Sequence, residues 1–244
     1  MSEKIEGKNP VLEALKAERD FDRILIAREA KNLQEIIDIA KTRGIPIRFA
    51  ERKLVSQNAE TSSNQGIIAY MAVHNYANVG DILKIAKDKN EPPFIIILDE
   101  ICDPHNLGAI IRTANAAGAH GVIIPKRNSA SLNATVAKTS AGAIEYTPVA
   151  RVSNISKTID KLKEEDIWIY GTLLSDTAKD YYSEDLTGAL ALVIGNEGSG
   201  IGSLVGKKCD FHIKIPMLGE ISSLNASVAA GIVMYEVLKQ RKNL

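Results

Sequence analysis

Five short apolar runs constrain the fold more than any other feature: Phe94 to Leu98, Gly121 to Ile124, Ile167 to Thr172, Leu190 to Ile194 and Phe211 to Ile215. Several lack polar alternation, the pattern of strands covered on both sheet faces. Helical spacing fills the intervals at Leu107 to Ala117, Leu132 to Ser140, Ile155 to Glu164 and Leu224 to Gln240. Strands alternating with helices predict a doubly wound parallel sheet, an α/β class.

Ahead of this lies a smaller α/β unit. Asn9 reads as an N-cap with Pro10 at the first helical position and Val11, Leu12 and Leu15 on one face. Arg23 to Ala27 then reads as a strand, Leu33 to Arg43 as a helix closed by Gly44, and Ile45 to Phe49 and Gly66 to Val73 as strands. From Asn75 to Pro93 the chain is polar, with one short amphipathic piece, Asp81 to Lys87, and a charged turn ending in Pro92-Pro93. The expected division is residues 1–75, a linker at 76–92, and a larger domain at 93–244.

A chain of 244 residues that is 45% hydrophobic has enough apolar surface to fold. Thirty basic and thirty acidic residues cancel, so bulk charge neither demands nor excludes a nucleic-acid partner and any basic surface has to be local. Cys102 and Cys209 match no metal-ligand spacing and are too few for a disulfide framework, which suits free thiols in a reducing compartment. The apolar runs are too short to span a bilayer and the first ten residues carry no apolar signal region, so a cytoplasmic protein without a membrane partner is expected.

Three stretches follow strands and carry chemistry. In Asp103 to Asn115, Arg112 sits among Ala, Ile and Gly with no carboxylate three or four residues away. Its charge needs an outside partner, or it snorkels to water or reaches a distant acid. In Leu192 to Gly202, four glycines surround Asn196 and Glu197; the turn either admits a ligand to the backbone or is merely tight. Its spacing misses the dinucleotide fingerprint, so nicotinamide binding has poor support. In Ile215 to Val228, Ser222 or Ser223 is placed to cap the last helix, with Asn225 just inside it. The small residues that follow suit either packing within the domain or a homodimer contact.

Together, Asn106 to Arg112, Leu192 to Gly200 and Ile215 to Ala229 resemble the three ordered signature motifs of the SpoU or TrmH branch of the SPOUT methyltransferases. The segment from about Lys4 to Val73 is similar to that family's RNA substrate-binding domain of the L30e type. Ala130 to Thr135 and the form Pro216-Met217 to Asn225 look most like the bacterial 23S rRNA (guanosine-2′-O-)-methyltransferase group, although Glu220 stands where a small or apolar residue is usual. The resemblance implies a trefoil-knotted SPOUT domain, which periodicity does not suggest.

It also implies S-adenosylmethionine as methyl donor, a ribose 2′-hydroxyl of RNA as acceptor, no metal, and a homodimer. A guanosine of 23S rRNA is the expected target, with a tRNA ribose or an inactive RNA-binding protein as alternatives. By that resemblance Gly195, Ile215, Leu224, Thr172, Asn196 and Met217 hold the donor. Arg112 carries catalysis, aided by Asn106, Glu197, Ser223 and Asn225. A guanidinium stays protonated, so Arg112 would act with a substrate phosphate in removing the hydroxyl proton.

Overall fold

The computed structural model describes residues 4–72, 74–175, 177–196, 198–220 and 223–242. The chain divides into two compact units, residues 1–75 with 131–134 and residues 76–130 with 135–244.

The first unit contains β1 (Lys4–Glu6), α1 (Lys8–Lys16), β2 (Phe21–Ala27), α2 (Gln34–Thr42), β3 (Ile47–Ala50), α3 (Arg52–Asn58) and β4 (Ile67–Met71). Its sheet runs β1-β4-β2-β3, with β2 parallel to β3 and antiparallel to β4. Strand β2 is apolar on both faces because both are covered. Ile24 and Ile26 pack with Val11, Leu15 and Ile36 on one side, while Leu25 and Ala27 meet Val55 and Tyr70 on the other.

Two local expectations are corrected. The first helix starts at Lys8 behind Gly7, whose φ of 88° is open to glycine, so Asn9 is not its cap. Helix α3 carries a single buried residue, Val55, and therefore left no apolar periodicity to read. Gly44 does follow α2 with a positive φ of 66°. The expected strand end at Val73 lies outside the described residues.

The second unit contains α4 (Val79–Asp88), β5 (Phe94–Leu98), α5 (Pro104–Ala116), β6 (Gly121–Pro125), α6 (Ala134–Thr139), β7 (Val149–Val152), α7 (Ile155–Glu164), β8 (Trp168–Thr172), β9 (Lys179–Asp180), β10 (Leu190–Ile194), α8 (Ser203–Gly206), β11 (Phe211–Lys214) and α9 (Ala226–Lys242). Every pairing in its sheet is parallel, in the order β7-β6-β5-β10-β8-β11-β9. Ile95, Ile97, Ile169 and Val193 pack on one face against Ile82 of α4 and Ile155, Ile159 and Leu162 of α7. Ile96 and Leu98, which alternate with them, are also fully buried, so the opposite face is covered as well.

The stretch expected to be a linker is not open chain. Its α4 is fixed by an Asn78–Asp81 capping box, and Ile82 fills the core so closely that a Cβ at Gly121 would lie 2.6 Å from it. Burying such a side chain is worth about 1.5–3 kcal/mol. The far end of α9 is anchored beside the same segment. Arg241 donates to the carbonyls of Pro92, Pro93 and Gly188, at 2.9, 3.0 and 2.6 Å. Among the described residues no helix is long and apolar enough to cross a membrane.

In this sheet β10 lies between β5 and β8, so the chain order reverses there. Ligands of open parallel sheets gather beyond the strand carboxyl ends at such a reversal.

Candidate active site

Strand β10 delivers Ile194 into the glycine-rich turn. A Cβ on Gly195 would stand 2.2 Å from the Gly200 carbonyl carbon, so no other residue fits there without moving backbone. Asn196 and Gly200 exchange backbone hydrogen bonds at 3.1 and 2.8 Å, and Gly200 takes the left-handed φ of 67° that closes the loop. The Asn196 side chain knits this turn. Its Oδ1 accepts from Gly198 N at 2.8 Å, and its Nδ2 donates to the Glu100 carbonyl at 3.1 Å.

Beneath the turn is a cavity of about 430 Å³. Its walls come from the turn, from Thr172 to Leu174 after β8, from Ile213 to Met217, from Ser223 and Leu224, and from the Ala226, Ala229 and Val233 side of α9. Gly195, Ile215, Leu224, Thr172, Asn196 and Met217 all line it, as does Ser223. Two of these have further duties: Asn196 shapes the turn, and Thr172 Oγ1 donates to the Val193 carbonyl at 2.9 Å.

The first stretch meets this site less directly. Asn106, buried on α5, accepts at Oδ1 from Asn225 Nδ2 at 3.0 Å. Asn225 is not inside the last helix but is its cap. Its Oδ1 accepts from the amides of Ser227 and Val228 at 3.0 and 3.3 Å. Ser222 and Glu197 lie outside the described residues.

Arg112 is exposed, makes no hydrogen bond or ion pair within the described residues, and does not line the cavity. Six residues span about 600° of helix, so Arg112 and Asn106 point from different faces of α5. Only the second and third stretches therefore wall the cavity; the first is tied to them by side chains and leaves its guanidinium facing out.

Reading the sequence missed the pair that ties it. Asp99, buried at the end of β5, accepts at Oδ2 from Gly202 N at 2.8 Å. Glu100 beside it takes a φ of 60° and offers its carbonyl to Asn196. The available signal was an acid closing a wholly apolar strand. Burial pushes the Asp99 carboxyl above its usual range, partly offset by the Gly202 amide and reinforced by Glu100.

Cys209 is poorly placed to act as a sulfur nucleophile. Burial pushes the Cys209 thiol up to about 12, and its Sγ packs where Gly171 leaves room. No metal-holding cluster of His, Cys, Asp or Glu occurs among the described residues.

A glycine-walled cavity beyond the strand ends of a parallel α/β sheet is the place where ligands of this architecture bind. Residues 93–235 match the SpoU rRNA Methylase family, and residues 4–77 match the RNA 2′-O ribose methyltransferase substrate-binding family. The chain belongs to the SpoU rRNA methylase family. It is 50% identical over 237 residues to YacO of Bacillus subtilis (strain 168), assigned to the TrmH family of tRNA/rRNA methyltransferases, covering 96% of this chain and 94% of that protein. A TrmH family relative in Staphylococcus aureus (strain MSSA476) is 45% identical over 242 residues, covering 98% of this chain and 97% of its own. Among solved structures, the SpoU methyltransferase AviRb from Streptomyces viridochromogenes, in complex with AdoMet, superposes with a TM-score of 0.63 at 25% identity. The match covers 99% of this chain and 91% of that one.

Proposed function

We propose that this protein transfers a methyl group from S-adenosylmethionine to a ribose 2′-hydroxyl of RNA, with a guanosine of 23S rRNA as the target. The observation that carries this reading is the cavity itself. All six residues expected to hold the donor line one space, walled by the glycine turn and the segment leading into α9. Its mix of backbone groups and apolar side chains such as Ile194, Ile201 and Ile213 suits a flat heterocycle with a polar tail. When bound, S-adenosylmethionine supplies an electrophilic methyl on a sulfonium centre.

The chain's own residues supply position. Gly195, Asn196, Gly198, Gly200 and Leu224 offer the donor backbone groups, and Ser223 stands at the cavity wall. Arg112 orients the RNA ribose through its phosphate, which takes up the hydroxyl proton. Asn225 holds the helix that carries Arg112 against the cavity wall. By the family resemblance Glu197, which lies outside the described residues, helps to orient Arg112, the ribose or the donor.

Arg112 lies outside its own chain's cavity, so a second copy is proposed to bring it to a donor. Val228 and Tyr235, each 50% exposed and one heptad apart on α9, are the apolar stripe for that homodimer. The trefoil knot, with the last strand and helix threaded through an earlier loop, and the L30e-like nature of the first unit belong to the same reading. They are supported by the family matches to each part.

Calorimetry with S-adenosylhomocysteine and transfer of labelled methyl to rRNA and tRNA from cells lacking the protein test the proposal. Donor binding with 2′-O-methylation of 23S rRNA is expected. Methylation confined to tRNA would move the target, and no donor binding would leave an RNA-binding protein.

A further inference from the structure

We infer that Asp99 is a positioning residue for the donor: its carboxylate fixes the glycine turn from outside the cavity and thereby sets donor affinity. The inference rests on the methyltransferase reading of the cavity and goes beyond it, because Asp99 itself does not line that space.

In its second half the turn from Gly195 to Gly202 is held by the packing of Ile201 on the core and by few hydrogen bonds. Gly198, Gly200 and Gly202 have no side chains to pack, and the backbone exchange between Asn196 and Gly200 closes only the first part. Beyond Gly200 the next tether in the loop is the Gly202 amide, which donates to Asp99 Oδ2 at 2.8 Å. Ile201, between these two fixed points, lines the cavity and packs against the core that holds Ile97 and Val193.

Asp99 is itself rigidly placed. Its amide donates to the Ile194 carbonyl at 2.8 Å, the last rung between β5 and β10. It is 7% exposed. Adjacent Glu100 reaches the first half of the same turn through its carbonyl to Asn196 Nδ2, and its carboxylate accepts from Asn128 Nδ2 at 3.0 Å. The corner at Asp99 and Glu100 thus grips both ends of the turn and then leads into α5, which bears Asn106 and Arg112. Deprived of that acceptor, the amide of Gly202, an exposed residue, turns to water, and the nearest rearrangement loosens the cavity wall at Ile201.

The test compares Asp99→Ala, Asp99→Asn and Asp99→Glu in the full-length protein. Donor KM and kcat are measured with RNA saturating, and S-adenosylhomocysteine affinity by calorimetry. Asp99→Ala is expected to raise donor KM and the calorimetric Kd about tenfold, the scale of one lost hydrogen bond to a carboxylate, with kcat within about twofold. Asp99→Asn keeps a carbonyl acceptor for Gly202 and is expected to restore KM to within about threefold of the parent. Asp99→Glu, a methylene longer, pushes on Gly202 and is expected to behave like Asp99→Ala.

Should Asp99→Ala not fold, the contrast between Asn and Glu carries the same test. Parent-like KM in a folded Ala or Glu variant, or a fall in kcat with KM unchanged, would overturn the inference. Failure of the parent protein to bind S-adenosylhomocysteine would overturn the methyltransferase reading instead.

Discussion

Asn225 donates from Nδ2 to Asn106 Oδ1 at 3.0 Å across 119 residues of sequence, while its own Oδ1 caps the last helix. One amide side chain therefore sets both where α9 starts and how α5 lies against it. Of the three stretches that carry chemistry, the first and third are joined at this bond.

Its removal separates the two duties. Asn225→Ala loses the cap, worth about 1 kcal/mol, and a bond to a buried group, worth about 1 kcal/mol more. Asn225→Asp keeps an acceptor for the Ser227 amide but cannot donate to Asn106. Urea denaturation is expected to show the Ala variant about 2 kcal/mol less stable and the Asp variant between it and the parent. Equal stabilities of the two variants would show that only one duty matters.

Gly195 is the position where the turn tolerates least. Gly195→Ala puts a methyl within 2.2 Å of the Gly200 backbone, whereas Gly219→Ala meets nothing within 4 Å. S-adenosylhomocysteine titration is expected to show at least about a tenfold loss for the first, the scale of 1.4 kcal/mol, and parent-like affinity for the second. Intact affinity in Gly195→Ala would mean the turn moves freely.

Arg112→Ala is expected to abolish methyl transfer while calorimetric donor affinity stays within about twofold, because the side chain is exposed and does not line its own chain's cavity. A matching loss of donor affinity would place the guanidinium in the donor site instead.

His120 gives the stability a pH dependence. It is 1% exposed, accepts at Nδ1 from the Phe94 amide at 3.0 Å, and sits with Nε2 3.1 Å from a Glu91 carboxylate oxygen. Burial holds its pKa below the ordinary 6.5, with Glu91 opposing and Lys89 and Arg241 assisting. The unfolded chain thus binds the proton first as pH falls. The contribution is fully present above about 6.5 and is lost as pH drops through that value toward the lower folded one. Thermal melts from pH 8 to 5 are expected to show this slope in the parent and a flatter one in His120→Gln; identical slopes would assign it to another group.

Much of the second unit was legible because its strands are buried on both faces. The runs containing Ile95 to Ile97 and Leu192 to Ile194 announce themselves by apolarity alone. Strands β7 and β9 were not read. Val149–Val152 is only partly buried and Lys179–Asp180 has two residues, so neither carries a periodic signal. Helix α4 was seen only as a fragment, since its polar face dominates and its cap box falls in a stretch that reads as linker.

The sequence by itself determined where a turn without side chains must follow a buried strand, and which residues could meet a donor there, because glycine freedom and apolar runs are local properties. The tertiary structure alone decided that Asp99 meets Gly202, that Asn106 meets Asn225, and that Arg112 does not line the cavity formed by its own chain. Those relations depend on sheet order and helix rotation, and both are fixed by packing between segments about a hundred residues apart, which no local spacing encodes.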